Sequence, residues 1–307
     1  MIFENGKRYN TLDGFFKKKF GCKIAKITLN GGFTCPNRDG TKAYGGCIYC
    51  SDKLSGEFAG NPEESIKKQF DNGVKMMSSK WKNVKYMPYF QAGTNTYADT
   101  AVLKELYEEA LRQKDVVALS IATRPDCITE ETLEYLADVN KRTFLTVELG
   151  LQSTFDETGV VINRQSTYAE FLDCYNKLSE RNIPVCVHLI NGLPGETSKM
   201  MLESVKKVSA LHPWAIKLHL LHVVKGTFCE KMYNIGELCV FEKDDYVKLV
   251  CDELEIIDKD IVIQRLTGDG ARDTLVSPLW SIKKFEVLNS IDKELERRDS
   301  YQGKFAE

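Results

Sequence analysis

Residues 23–50 read KIAKITLNGGFTCPNRDGTKAYGGCIYC, and this stretch changes character halfway. Its first part, 23–29, is a short apolar run rich in β-branched residues, the pattern of a strand buried on both faces. The part that follows, 32–50, is a loop holding Cys35, Cys47 and Cys50 in the spacing C-x11-C-x2-C. Three thiols in the loop at a strand's C-terminal end are consistent with an α/β barrel whose chemistry sits on its βα loops. Gly40, Gly45 and Gly46 allow the backbone to wrap closely. Three thiolates can each hold one iron of a cubane cluster and leave the fourth iron open for a ligand. Tyr49, between the last two cysteines, can lay its ring against a planar group. Two other readings stay open at this point: a zinc site with Cys22 as fourth thiolate, or three buried thiols without metal.

Outward from this segment, further apolar runs occupy 86–92, 116–123, 144–149, 183–190, 216–224 and 261–266. Amphipathic stretches separate them: 62–77, 100–113, 129–140, 168–181, 196–211, 243–257 and 282–298. Asn61, Pro62, Glu63 and Glu64 read as the start of the first of these helices. Such alternation predicts a wound α/β fold with a parallel sheet, as a barrel or an open sheet. No linker, low-complexity tract or repeat divides the chain. It reads as a single domain, 1–307, with a core over about 23–267 and a C-terminal extension, 268–307, packed on it.

The 307 residues are 43% hydrophobic and 28% charged, the balance of a globular protein. Lys and Arg total 42 against 44 Asp and Glu, a net charge of -2, which excludes a whole-molecule basic field for nucleic acid but permits local patches. No apolar run of membrane-spanning length and no secretory h-region is present, so the expected location is cytoplasmic, without membrane association. Ten cysteines are then better read as ligands or core thiols than as disulfides. Residues 15–20, FFKKKF, and 80–86, KWKNVKY, interleave cations with aromatics, a mix that can grip phosphates and stack bases, or equally form ordinary helix ends.

CPNRDGT followed by GGC-x2-C resembles the opening of the radical SAM superfamily, in its Elongator-type branch with expanded cysteine spacing. The resemblance continues through FQAGTNTYA (90–98), TRPD (123–126), ELGLQS (148–153), Asn163–Arg164, HLINGLPGET (188–197) and KLHLLH (217–222). It extends from Arg8 to Gly303 and is strongest to the MnmL (YtqA)-type bacterial enzymes that modify the wobble uridine of tRNA. One departure is visible: Gln165 and Ser166 follow Arg164 where that family usually has Gly-His.

The resemblance implies a partial (β/α)6 TIM-like barrel with short N- and C-terminal extensions. It implies a [4Fe–4S] cluster on Cys35, Cys47 and Cys50, and S-adenosylmethionine beside it. Arg164 matches an arginine facing the methionyl carboxylate. Gln152 and Glu148 match polar groups near ribose or the methionyl moiety. Thr94 and Asn95 fall where the amino group is recognised, Gly192 falls beside adenine, and Tyr49 packs on the ligand. His188, His219 and His222 with Lys217 make a polar pocket; with Arg124 and Arg265 they are the candidate substrate-binding residues, and Asp269 helps close the pocket. For Glu148, pairing with a base such as Arg124 is the alternative. The implied reaction converts 5-carboxymethylaminomethyluridine to 5-aminomethyluridine in tRNA. The implied partners are tRNA, an electron donor such as flavodoxin or ferredoxin, and a downstream tRNA methyltransferase. A radical enzyme for a small metabolite or protein, and a non-catalytic zinc-stabilised RNA-binding module, are the competing readings.

Overall fold

The computed structural model describes residues 1–3, 5–54, 56–78, 81 and 83–306. In chain order the elements are α1 (Leu12–Phe20), β1 (Lys23–Leu29), α2 (Ile66–Ser78), β2 (Val84–Phe90), α3 (Thr100–Leu111), β3 (Ala118–Thr123), α4 (Glu130–Arg142) and β4 (Phe144–Gln152). There follow α5 (Asp156–Val161), α6 (Tyr168–Glu180), β5 (Val185–Asn191), α7 (Ser198–Ser209), β6 (Ala215–Leu220), β7 (Val223–Val224) and α8 (Phe228–Asn234). The last are α9 (Lys243–Ile256), β8 (Val262–Arg265), β9 (Leu275–Ser277) and α10 (Lys284–Arg297). All seven apolar runs overlap a strand of one parallel sheet, ordered β1-β2-β3-β4-β5-β6-β8. The fold is a partial TIM-like barrel, six strands as expected and a seventh, β8, beside β6.

The sheet curls until its two edge strands meet through side chains. Lys26 on β1 donates to Gln264 on β8 at 2.9 Å, although the strands share no ladder. The gap at their lower ends is filled by the segment leading into α1, where Thr11 bridges Ile263 in parallel and Ile263 N–H donates to Asn10 O at 2.7 Å. Thr11 also caps α1, accepting from Gly14 N–H, and Gly21 ends the helix in the left-handed region. Threonines cap α4, α6, α7 and α8 in the same way, with a full capping box at Thr167 and Glu170.

The face that α1 turns inward plugs the barrel floor. The Phe15 ring lies 5.2 Å from Trp214 and 5.7 Å from Phe144, and Phe16 is buried with Ile24, Met87 and Ala118 at the strand starts. The aromatics of 15–20 are therefore core residues and not a base-stacking surface. Lys19 lies 4.9 Å over Phe144 on the same floor. In 80–86, Lys80 and Lys82 lie outside the described residues, while Trp81 is stacked under Lys23 at 4.6 Å and Tyr86 meets Phe70 edge-on.

The start of α2 differs from the sequence expectation. Asn61 to Glu64 form turns, with Asn61 Oδ1 accepting from Glu63 N–H, and the helix begins at Ile66. Ser65 accepts from Lys68 N–H there, so a serine cap four residues on outcompetes the Asn-Pro start. At the other terminus Gln302 bonds the carbonyls of Asp258 and Ile261 and accepts from Asn10 N–H, which ties the last residues to β8 and to the N-terminal arm. Among the described residues no helix is long and apolar enough to cross a membrane.

Candidate active site

The cysteine loop leaves β1 at the top of the barrel and is built as a chain of turns. Arg38 and Asp39 N–H donate to Cys35 O, Gly46 N–H donates to Asn37 O, and Cys50 N–H donates to Cys47 O. Arg38 lies across Gly46, where a Cβ would come within 2.9 Å of its Nε, and reaches Cys50 O at 3.2 Å. The second βα loop docks on this one: Thr94 N–H donates to Thr34 O at 3.0 Å, and a Cβ on Gly93 would stand 2.3 Å from Phe33 O. Only glycine permits that approach. Cys35, Cys47 and Cys50 all line one cavity of about 930 Å³.

The loop is held from the far side by the segment after α5. Asn163 donates to Gly46 O at 2.8 Å, Ile48 N–H donates to Ile162 O, and Asn37 donates to Asn163 O and to Cys47 Sγ, the latter at 3.6 Å. Arg164 is buried and spends four of its five N–H bonds on the carbonyls of Leu151, Ser153 and Ser166 and on Asp156. Arg124 forks onto Asp126 at 2.9 and 2.8 Å and reaches Arg164 O. Burial pushes the Cys47 thiol up, while the Tyr49 hydroxyl, Arg124 and Asn37 favour its thiolate.

Below this loop the barrel interior is polar. Glu148 on β4 is completely buried and receives Lys26 from β1 at 2.5 Å, Ser120 from β3 at 2.7 Å, His188 from β5 at 2.9 Å, and Lys217 from β6. Lys217 also reaches Tyr89 on β2 at 3.3 Å, so side chains of six strands join in one network around Glu148. Those cations and hydrogen bonds outweigh desolvation and hold Glu148 well below the usual carboxylate range. Burial pushes Lys217 down to about 8, with the Lys26 charge adding to it, and His188 down to about 4, with the Lys217 charge adding to it; Glu148 opposes both. Nearer the mouth, Arg265 and Lys284 both bind Asp269 at 2.7 Å, and His222 packs against Gly268, its imidazole pushed down to about 4 by burial.

The sequence model of the radical SAM superfamily matches residues 34–208, from the cysteine loop through α7. The chain belongs to the radical SAM superfamily. A radical SAM C-terminal domain model matches 213–297 and contributes β6 and β8 to the same sheet. The chain is 50% identical over 299 residues to the "Uncharacterized protein YtqA" of Bacillus subtilis, covering 97% of this chain and 93% of that one. It is 24% identical to the tRNA uridine(34) acetyltransferase of Methanocaldococcus infernus over 59% of its own length and 34% of that protein. The archaeal Methanocaldococcus infernus Elp3 structure shares the fold, with a TM-score of 0.69 at 16% identity, covering 91% of this chain and 64% of that longer one. These likenesses support an Elongator-type branch.

A radical SAM enzyme uses a [4Fe–4S] cluster and S-adenosylmethionine, and these are its cofactors. The donor set fits them. Among the described residues no three His, Cys, Asp or Glu side chains converge on a single metal ion. A cubane instead takes one thiolate at each of separate irons, the layout that three thiols along one cavity wall provide. Cys22 does not join them: it packs with the α1 aromatics on the floor, before β1, while Cys35 follows it. Seven strand residues, roughly 20 Å, separate the two ends.

Of the residues expected at the site, Tyr49, Thr94, Arg124, Glu148, Gln152, Arg164, His188, Lys217, His219, His222 and Arg265 all line the one cavity. Gln152 does so from a bulge at the end of β4, with φ of 65°, its amide filling the space that Gly150 leaves open. Two expectations are corrected. Asn95 turns its amide away, onto Gly93 O and Ala122 O, and so pins the second loop to β3. Gly192, at φ of 90°, faces Phe241 and Leu221 behind the cavity wall. Glu148 is paired as the alternative foresaw, but with Lys26 and Lys217; Arg124 is occupied by Asp126. Sequence reasoning missed Lys26 and Asn37. A lysine between apolar neighbours in 23–29 was the available signal for the first, and the loop's need for an internal anchor offered none for the second.

Proposed function

We propose that this radical SAM enzyme modifies the wobble uridine of tRNA, converting 5-carboxymethylaminomethyluridine to 5-aminomethyluridine. The observation that carries the reading is the single cavity, about 930 Å³, with the thiol loop on one wall and the polar ends of β5, β6 and β8 on another. That volume suits a cofactor and a nucleoside side by side. The likeness to a tRNA uridine(34) enzyme supports the substrate class.

Cys35, Cys47 and Cys50 would hold the cluster, and Tyr49, Thr94, Gln152 and the remaining N–H of Arg164 would face S-adenosylmethionine. Bound there, the two cofactors supply hydrogen-atom abstraction from carbon. The chain's own part is placement. The Arg164 and Asn163 bonds keep the cysteine loop fixed against β4, and the wall below excludes bulk water and orients the nucleoside. Abstraction from the carboxymethyl carbon is tested with RNA deuterated at that position. The reading expects deuterium in 5′-deoxyadenosine, and unlabelled 5′-deoxyadenosine from RNA that is nevertheless converted would refute that site of abstraction.

A further inference from the structure

Charged groups on the two sides of the cavity are balanced differently. On the cysteine side Arg124 and Lys42 face Asp126 and Glu170, two cations for two carboxylates, and Arg164 faces Asp156. On the opposite side Lys26 and Lys217 share Glu148 alone, and Arg265 and Lys284 share Asp269 alone. Each of these two triads has two cations for one carboxylate. The other groups against Glu148 carry no charge: the Ser120 hydroxyl, the His188 imidazole, and the Tyr89 phenol and Cys186 thiol, both pushed up by burial. Glu57 and Glu64, on the segment before α2, are bonded to Ser51 and Asn72 and pair with neither triad.

A surplus cation in a buried setting is costly unless an anion joins it. Two further atoms point to an absent partner. Nε2 of His219 and Nε2 of His222 are buried without a hydrogen-bond partner, and both rings line the cavity that the triads share. A neutral imidazole can present an N–H at that atom.

We infer that this wall is a two-station anion site for the substrate: Lys26, Lys217 and His219 receive a carboxylate carried on the reacting base, and Arg265 and Lys284 receive an adjoining backbone phosphate. The inference rests on the tRNA reading and adds which groups read the nucleoside. The stations differ in exposure as their ligands require. Lys217 and Glu148 side chains are 6% and 0% exposed, suited to a small group carried inward on a base, whereas Lys284 is 39% exposed at the mouth, where a backbone passes. The carboxylate of S-adenosylmethionine is the other possible occupant of the inner station, and the test separates the two.

The experiment uses the anaerobically reconstituted holoenzyme without reductant, and measures binding of anticodon stem-loops bearing 5-carboxymethylaminomethyluridine or 5-aminomethyluridine. The wild type is expected to prefer the carboxymethylated RNA by about tenfold. Lys26→Met removes the inner surplus while leaving Glu148 paired with Lys217, His188 and Ser120, and should bring the two RNAs within about twofold, with S-adenosylmethionine affinity unchanged. Lys26→Arg, which keeps the charge, should restore the preference. Lys284→Gln should weaken both RNAs alike and lower the salt slope by about one. A Lys26→Met protein that melts like wild type and keeps the preference overturns the inner station. So does one that loses affinity for S-adenosylmethionine instead. Wild type that binds neither RNA overturns the tRNA reading, and this inference with it.

Discussion

Single residues differ in how their surroundings commit them. Cys47 is half-buried, receives the Asn37 amide and the Tyr49 hydroxyl, and has Arg124 nearby, so its neighbours stabilise a thiolate that desolvation alone would disfavour. On the proposal that Cys47 holds the cluster, Cys47→Ala should remove most of the iron and the brown colour while the fold melts normally; unchanged iron per protein would contradict the proposal. His222 makes the opposite commitment. Its imidazole is pushed from an ordinary 6.5 down to about 4, so the folded state keeps it neutral where the unfolded chain takes up a proton. Between pH 6.5 and 4 the unfolded state therefore binds more protons, and stability falls as pH falls. His188 acts in the same sense. His222→Asn should flatten the profile of unfolding free energy against pH over that window by on the order of 2–3 kcal/mol, and a profile as steep as wild type would refute this.

At the scale of elements, α1 does for the barrel floor what the cysteine loop does for its top. Phe16 fills the space between the starts of β1, β2 and β3, so Phe16→Ala should cost about 3–5 kcal/mol in denaturant unfolding. Because floor and cysteine loop lie at opposite strand ends, iron per protein should stay at the wild-type level; its loss would show that the two ends are coupled. The strands were legible because a parallel strand buried on both faces leaves an unbroken apolar run, and β1 falls on residues 23–29 as read. The role of α1 was not legible. Its alternation of Phe and Lys is equally the pattern of a plug and of an exposed patch, and only the curl of the sheet decides. Lys26 escaped for a related reason, since which neighbours a strand residue meets inside a barrel depends on closure, not on spacing. Motif letters also carried more than one meaning. Gln152 faces the cavity, while Asn95 and much of Arg164 are spent on backbone carbonyls that hold the loops.

For the whole molecule, the half-barrel joins two chemistries that neither half of the chain supplies alone. Residues 34–208 bring the thiol loop and Glu148, and 213–297 bring Lys217, His219, His222, Arg265 and Lys284 to the same cavity. The central claim is that this cavity performs radical chemistry on RNA. Its most direct measurement is dithionite-dependent formation of 5′-deoxyadenosine by the anaerobically reconstituted protein, with and without bulk tRNA lacking the final aminomethyl modification. The account predicts a marked rise in rate when that tRNA is added, and a new mass at the wobble nucleoside. Turnover at the same rate with and without RNA, from protein that carries its full cluster, would contradict it.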